Sequence, residues 1–276
     1  MKCILKLIII ASTVTFLYGC KKTADLPLES NNELEISKSQ IQNLSNPFDS
    51  QGEVHNRFLD YFFQATKSSK VINRDKLLKV TQEFYFVNKL DFMDSQVKAY
   101  GQLFDTYHQM EIGRPGPVLP PNLCRWFPSI CHILTPSPTF PGLPTNFLSD
   151  ENGGSSTDRT LEFIQKVKEL EDYVLKNEKL TQEQQNARLT QYAIARYSAA
   201  YWHNVKYIQK EKSPSYGSFQ DLAAYPHSSC HTCDVVRADS GGAVVSAIIE
   251  GVSPGPGAAL ASAAAVLQDS WNWSWH

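Results

Sequence analysis

Alternating β-branched and polar residues, the mark of a half-buried strand, are nearly absent from these 276 residues, so a sheet protein is not expected. Blocks of basic residues are absent as well. Beyond residue 19 the chain carries 24 basic against 28 acidic residues, a net of −4. That balance argues against a nucleic-acid partner, which wants a clustered basic surface. No segment recurs at a period of 20–50 residues, so a solenoid is not expected either. Also missing are G-x-S-x-G, a phosphate loop, H-E-x-x-H and a calcium loop. Nothing commits to catalysis, and the expectation is a protein that is not an enzyme, with no cofactor and no metal.

What is present begins with Lys2 and Lys6 and the apolar run "LIIIASTVTFLYG". A run this short, flanked by lysines and ending in a small residue, reads as a secretory signal and not as a transmembrane helix. Gly19 followed by Cys20 resembles the lipobox of bacterial lipoproteins. In that family the peptide is cut before the cysteine, which then takes lipid, palmitate included, on its sulfur and its new amine. The resemblance implies a signal peptide over 1–19, lipidation of Cys20 and membrane lipid as the partner. It also implies a place in the bacterial cell envelope, at the outer membrane, with either face open. Acyl chains contribute about 0.8 kcal/mol per buried CH2, so several on one cysteine would hold the protein without a spanning helix. The polar stretch that follows suits a flexible tether over 20–45.

The body reads as helices. In "NPFDSQGEVHNRFLDYFFQAT", Ser50 stands three before Glu53, a capping-box spacing, and Val54, Phe58, Leu59 and Phe62 recur at helical spacing. Asn73 is placed to cap a second helix with Leu77, Leu78, Phe84 and Val87 inward, and a third periodic segment runs from about Asp91 to Ile112. Leu161, Ile164, Val167, Leu170 and Val174 form one stripe. Thr181 with Gln184 opens a further helix whose Leu189, Tyr192, Ala193, Ala199, Tyr201 and Trp202 make a broad aromatic face. Between these lies a segment with nine of the fifteen prolines, 113–149, which neither helix nor central strand accommodates. The fold class expected is all-α: a helical body over 46–232 with this long Pro-rich loop, then a C-terminal small-residue hairpin and Trp-rich tail over 233–276.

Cysteine usage follows from export. Cys124, Cys131, Cys230 and Cys233 favour two disulfides, Cys124–Cys131 and Cys230–Cys233, with crossed pairing as the alternative. In "HSSCHTC", His227, Cys230, His231 and Cys233 are zinc-type donors but too cramped for a usual tetrahedral site, and His132 would have to help. A C-x-x-C opening a helix near Val235 is also a redox arrangement, though without the strands of a βαβ setting. His55 and His203, each before an asparagine, read as core or cap histidines, as does His108 three before Glu111.

The segment "GGAVVSAIIEGVSPGPGAAL" divides at its prolines into two arms of roughly 18 Å or less at 1.5 Å per residue, too short for a ~30 Å hydrocarbon core. Ala243, Ala247 and Gly251 on one arm would face Ala258, Ser262 and Ala265 on the other, the small-residue spacing of a glycine zipper. Two readings stand. The hairpin packs in a bundle core, or it enters a membrane with Gly242, Ala243, Ala247, Gly251, Trp271, Trp273 and Trp275 as the interacting residues.

"NPFDSQGEVHNRFLDYF", "YSAAYW" and the Gly/Ala-rich end together resemble a group of uncharacterised bacterial lipoproteins with an Asn-Pro-aromatic-Asp…Gly…His-Asn opening. The likeness implies no activity. Gly52, His55 and Asn56 match its opening, in a helix-starting or a binding role. The expectation is a lipid-anchored, non-enzymatic binding or envelope-associated module of unstated protein or small-molecule ligand. The alternative is a membrane-active, pore-forming or antagonistic protein that uses the hairpin.

Overall fold

The computed structural model describes residues 33–69, 72–90, 92–109, 142–150, 153–223, 230–248 and 252–266. Among these there are nine α-helices and no strand, the all-α bundle expected. In chain order they are α1 (Lys38–Ile41), α2 (Asp49–Thr66), α3 (Arg74–Val87), α4 (Asp94–Gln109), α5 (Ser156–Leu175), α6 (Gln182–His203), α7 (Tyr216–Ala223), α8 (His231–Ile248) and α9 (Pro254–Val266).

Helix α6 is the axis. Thr181 and Gln184 close the expected capping box at its start, and every residue from Leu189 to His203 is buried. A helix buried on all sides stands in the middle of a bundle. Helices α2, α5 and α8 pack around it, and α9 bridges α8 and α2. The broad aromatic face expected on α6 is therefore a whole circumference. Trp202 stacks on Phe219 at 5.2 Å and meets the edge of Phe63 at 6.3 Å, and Phe58 sits edge-on to Phe84 at 4.9 Å.

Several local expectations differ from what is observed. Helix α2 starts at Asp49 with Phe48 as its cap residue, so Ser50 lies inside the first turn and its capping box with Glu53 is not formed. Asn73 does cap α3, accepting the Lys76 N–H at 3.0 Å. Val87, expected inward, is exposed together with Phe86, because the last turn of α3 runs past its packing partners before Lys89 turns the chain at φ 54°. The tether expected over 20–45 does not extend through 33–45, which is docked. Ile36 is buried, and its backbone N–H and carbonyl pair with the side chain of Asn204 at 3.0 and 3.2 Å. The Pro-rich residues 110–141, Cys20 and the tail tryptophans Trp271, Trp273 and Trp275 lie outside the described residues.

Glu33 fastens the start of this docked segment to the N-terminus of α5. It accepts from the Ser156 and Thr157 backbone N–H groups at 3.0 and 2.8 Å and from the Thr157 hydroxyl at 2.7 Å. Burial would raise this carboxyl, but the bonds from Thr157 and Ser156 outweigh it and hold the group at about 2 instead of 4.5. A carboxyl depressed in the fold stabilises fully above its unfolded value and loses that contribution as pH falls through the folded one. The stability gap between the wild-type chain and Glu33→Gln, measured by thermal melts, is expected to be full above pH 4.5 and to close as pH approaches 2.

The Gly/Ala hairpin is inside this bundle. Pro254 and Pro256 sit in the first turn of α9, where a missing N–H costs nothing, so α9 begins three residues earlier than the "SPGPG" break suggests. A Cβ on Gly255 would lie 2.7 Å from the Gln51 carbonyl oxygen and 3.1 Å from the His55 nitrogen, so α9 and α2 nearly touch by their backbones. Gly257 stands against the side chain of Ser246 of α8, where a Cβ would collide with it. Ala243 and Ala258 do meet, with Ile194 of α6 as the third member of their cluster, whereas Ala247 is exposed and Gly251 is outside the described residues. Gly255→Ala is expected to destabilise by about 1–3 kcal/mol by overpacking. Gly241→Ala, with nothing within 4 Å, is expected to stabilise by roughly 0.5–1 kcal/mol. Urea midpoints of the two variants check both signs.

Candidate functional site

The opening motif converges on a buried polar centre. Its residues Asp49, Gly52, Asn56 and Asp60 recur every three or four positions and so share one face of α2. That face lies on α6. Asn46 folds over the helix start: its Oδ1 accepts the Phe48 N–H at 2.9 Å, and its Nδ2 donates to Glu171 Oε1 at 2.6 Å and to the Leu189 carbonyl at 2.8 Å.

Arg196 stands at the middle of one half. Its Nη2 donates to Asp49 Oδ1 at 2.6 Å and to Glu171 Oε1 at 2.9 Å, its Nε to Glu171 Oε1 at 3.1 Å, and its Nη1 to the Ile41 carbonyl. The guanidinium is fully buried, and so is the Glu171 side chain. Tyr197 donates its hydroxyl to Asp49 Oδ2 at 3.0 Å. Burial first, and then the Asp49 carboxylate, push that phenol well above its ordinary range, which keeps its proton in place as a donor. Gly52 lies directly beneath the Tyr197 ring, where any Cβ would collide.

His55 and Asp239 make the other half. His55 Nε2 and Asp239 Oδ1 are 2.9 Å apart with both side chains fully buried. The ring nitrogen is not aligned for a linear hydrogen bond, and neither atom has another hydrogen-bonding partner among the described residues, so each answers only to the other. Asn56 orients the ring: its Oδ1 is 2.8 Å from His55 Nδ1, while its Nδ2 donates to the Tyr197 carbonyl at 3.2 Å. Asp239 Oδ2 accepts from Ser198 Oγ at 2.6 Å and from Trp202 Nε1 at 3.3 Å. Beyond Asn56, Asp60 Oδ1 accepts the Tyr201 hydroxyl at 2.9 Å.

A serine, a histidine and an aspartate therefore meet here, but not as a nucleophile and its base. The Ser198 hydroxyl is directed at the Asp239 carboxylate, not at the imidazole, and all three are sealed from solvent. A nucleophile needs a base within reach of its own proton. The arrangement joins helices instead, with α2 linked to α6 through Asp49 and to α8 through His55. Of the residues matching the lipoprotein-like opening, Gly52, His55 and Asn56 are all used in this way. His203 is likewise buried, its Nε2 3.2 Å from the Leu34 carbonyl and its Nδ1 3.4 Å from Thr160 Oγ1. Burial, ahead of every other influence, holds its pKa below the ordinary histidine value.

The remaining expected site residues divide as follows. Cys230 and Cys233 are bonded to each other, which removes crossed pairing and leaves neither sulfur as a thiolate ligand; Cys124 and Cys131 lie outside the described residues. Among the described residues no His, Cys, Asp and Glu cluster is arranged to hold a metal ion, and no helix is long and apolar enough to cross a membrane. Gly242 and Ala243 are buried in the bundle.

Arg196, Glu171 and Asp239 were not singled out from the sequence. Each had a signal. Arg196 is the one charge in "YAIARYSAAYW", Glu171 sits between Val167 and Val174 on an apolar stripe, and Asp239 immediately precedes the small-residue run. A charge on an apolar face needs an opposite partner. Compared with known protein families, curated proteins and solved structures, the chain matches none.

Proposed function

We propose that this chain is a lipid-anchored bacterial envelope lipoprotein whose helical body serves as a non-enzymatic binding module. The observation that carries the reading is the sequence at its start: lysines, a short apolar run, and "LYGC" ending at Cys20. Two structural facts support the rest. Residues 33–45 are docked on the helical body, with Glu33 bound to the N-terminus of α5 and Ile36 buried. The polar cluster of Asp49, Glu171, Arg196, His55 and Asp239 is buried and occupied in joining helices, which supports a role in the fold.

The hairpin belongs to that fold in this reading. Inserting it in a membrane would part Asp239 from His55, Ser198 and Trp202 and strand a buried carboxylate, a cost of several kcal/mol. Lipidation has a direct test. With the full chain expressed in a bacterium fed an alkyne-tagged palmitate, the wild type is expected to take label and sediment with membranes, and Cys20→Ser to do neither. An unlabelled wild-type protein, or label retained by Cys20→Ser, would overturn the anchor.

A further inference from the structure

Cys230 and Cys233 close a disulfide across the first turn of α8, with Cα atoms 5.2 Å apart. Residues three apart on a helix already stand at about that range. The bond thus holds together what the helix holds without it, unlike a staple across a long loop, which stabilises most. Its breaking is therefore expected to leave α8 intact.

The two sulfurs have different surroundings. Cys230 is partly exposed and stands immediately before the eighteen residues of α8, where its Sγ accepts the Cys233 N–H at 3.2 Å. A helix N-terminus stabilises a thiolate at that position. Cys233 is 2% exposed, and its Sγ lies 3.2 Å from the Thr145 carbonyl oxygen. Thr145 is itself held, its hydroxyl oxygen accepting from Arg237 Nε at 3.1 Å and Nη2 at 2.8 Å. A disulfide sulfur has no proton to offer that carbonyl, but a thiol does. The Thr145 carbonyl is therefore an acceptor that only the reduced pair can use, and stabilising the reduced form makes a disulfide a better oxidant. His231 stands between the two cysteines in the chain, its Nδ1 buried without a hydrogen-bond partner among the described residues.

We infer that Cys230–Cys233 is a thiol–disulfide exchange site that takes two electrons from the reduced cysteine pair of a partner protein. A partner thiolate attacks Cys230 Sγ, the Cys230–Cys233 bond breaks, and its electron pair leaves on Cys233 Sγ. That sulfur takes a proton from solvent and keeps it, and the resulting S–H donates a hydrogen bond to the Thr145 carbonyl. The partner's second thiolate attacks its own sulfur in the mixed disulfide and expels Cys230 as a thiolate. The partner has lost two electrons and two protons and gained a disulfide; the Cys230–Cys233 pair has gained the electrons. This chemistry goes beyond the binding-module reading and does not depend on the lipid anchor.

The test uses the full chain, purified in detergent with its disulfide formed, and a peptide carrying two reduced cysteines. Mass spectrometry locates the disulfides. The expected result is one peptide disulfide formed per Cys230–Cys233 reduced, with an unchanged helical circular dichroism signal. In the reduced protein Cys230 is expected to alkylate at least tenfold faster than Cys233. Cys233→Ser, mixed with the oxidised peptide, is expected to accumulate a mixed disulfide through Cys230. A peptide that stays reduced, or a helical signal lost on reduction, would overturn the inference and leave the bond a staple. So would exchange by Cys230→Ser at the wild-type rate.

Discussion

Arg196→Ala is expected to leave the protein unfolded or without fixed packing at 25 °C. The substitution removes the one guanidinium shared by Asp49 and Glu171 and strands Glu171 in the core with only the amides of Asn43 and Asn46. Removing one partner from a buried ionic group costs about 3–5 kcal/mol, against a total of roughly 5–15 kcal/mol for a domain. The Ile41 carbonyl and the docked segment before it lose a donor at the same time. Arg196→Lys is expected to rescue only in part, since an ammonium cannot present the fork that reaches both carboxylates and the carbonyl. Arg196→Met combined with Glu171→Leu and Asp49→Leu is expected to recover stability only in part, because apolar residues can replace the buried charges but leave the Tyr197 hydroxyl and the Asn43 and Asn46 amides without these acceptors. Urea unfolding followed by circular dichroism separates these outcomes. Wild-type stability in Arg196→Ala would mean that the guanidinium is not the buried hub described here.

The second large effect falls on the hairpin. Asp239→Ala leaves His55 Nε2, the Ser198 hydroxyl and the Trp202 indole N–H without their acceptor, all three fully buried. Each buried donor left without its acceptor costs roughly 1–3 kcal/mol. The loss is expected to be local before it is global. Helices α8 and α9 meet α2 and α6 partly through small residues, beside Val235, Val236, Val245 and Leu260 in the core, so losing the carboxylate falls first on their own packing. Hydrogen exchange is expected to rise first over 231–266, with the Phe58, Phe62 and Phe84 cluster protected longer. Asp239→Asn keeps an acceptor for Ser198 and Trp202 and is expected to lose less. Uniform exchange across all helices in Asp239→Ala would show that the hairpin is not tied down by this residue.

Helix positions and the contents of the α2 opening were legible in the sequence; their purpose was not. Apolar period marked α3, α5 and α6, and capping residues marked the starts of α3 and α6, because those signals are local. Gly52, His55 and Asn56 stood out as a group only through the likeness of this opening to a group of bacterial lipoproteins. Their partners lie more than a hundred residues away. Spacing shows which face of its own helix a residue occupies, but not which helix stands opposite. The partners Arg196, Glu171 and Asp239 are therefore single charges in the chain until the helices are brought together. The hairpin had the same difficulty. Small residues at four-residue steps permit close approach in water or in lipid, and only the Gln51 backbone against Gly255 shows what approaches. Ala247 matched the spacing and is exposed, since the face that packs is set by Asp239, Ala243 and Ser246.

The central claim is that the α2 opening and the Gly/Ala segment, far apart in the chain, share one buried centre. A double-mutant cycle between His55 and Asp239 measures it most directly, with His55→Ala, Asp239→Ala and the double variant unfolded in urea beside the wild type. His55→Gln and Asp239→Asn stand in if the alanines do not fold. The expected coupling is about 0.5–3 kcal/mol, the double variant costing far less than its two singles together. Costs that add to within roughly 0.3–0.5 kcal/mol, as they do for distant and independent sites, would contradict the shared centre.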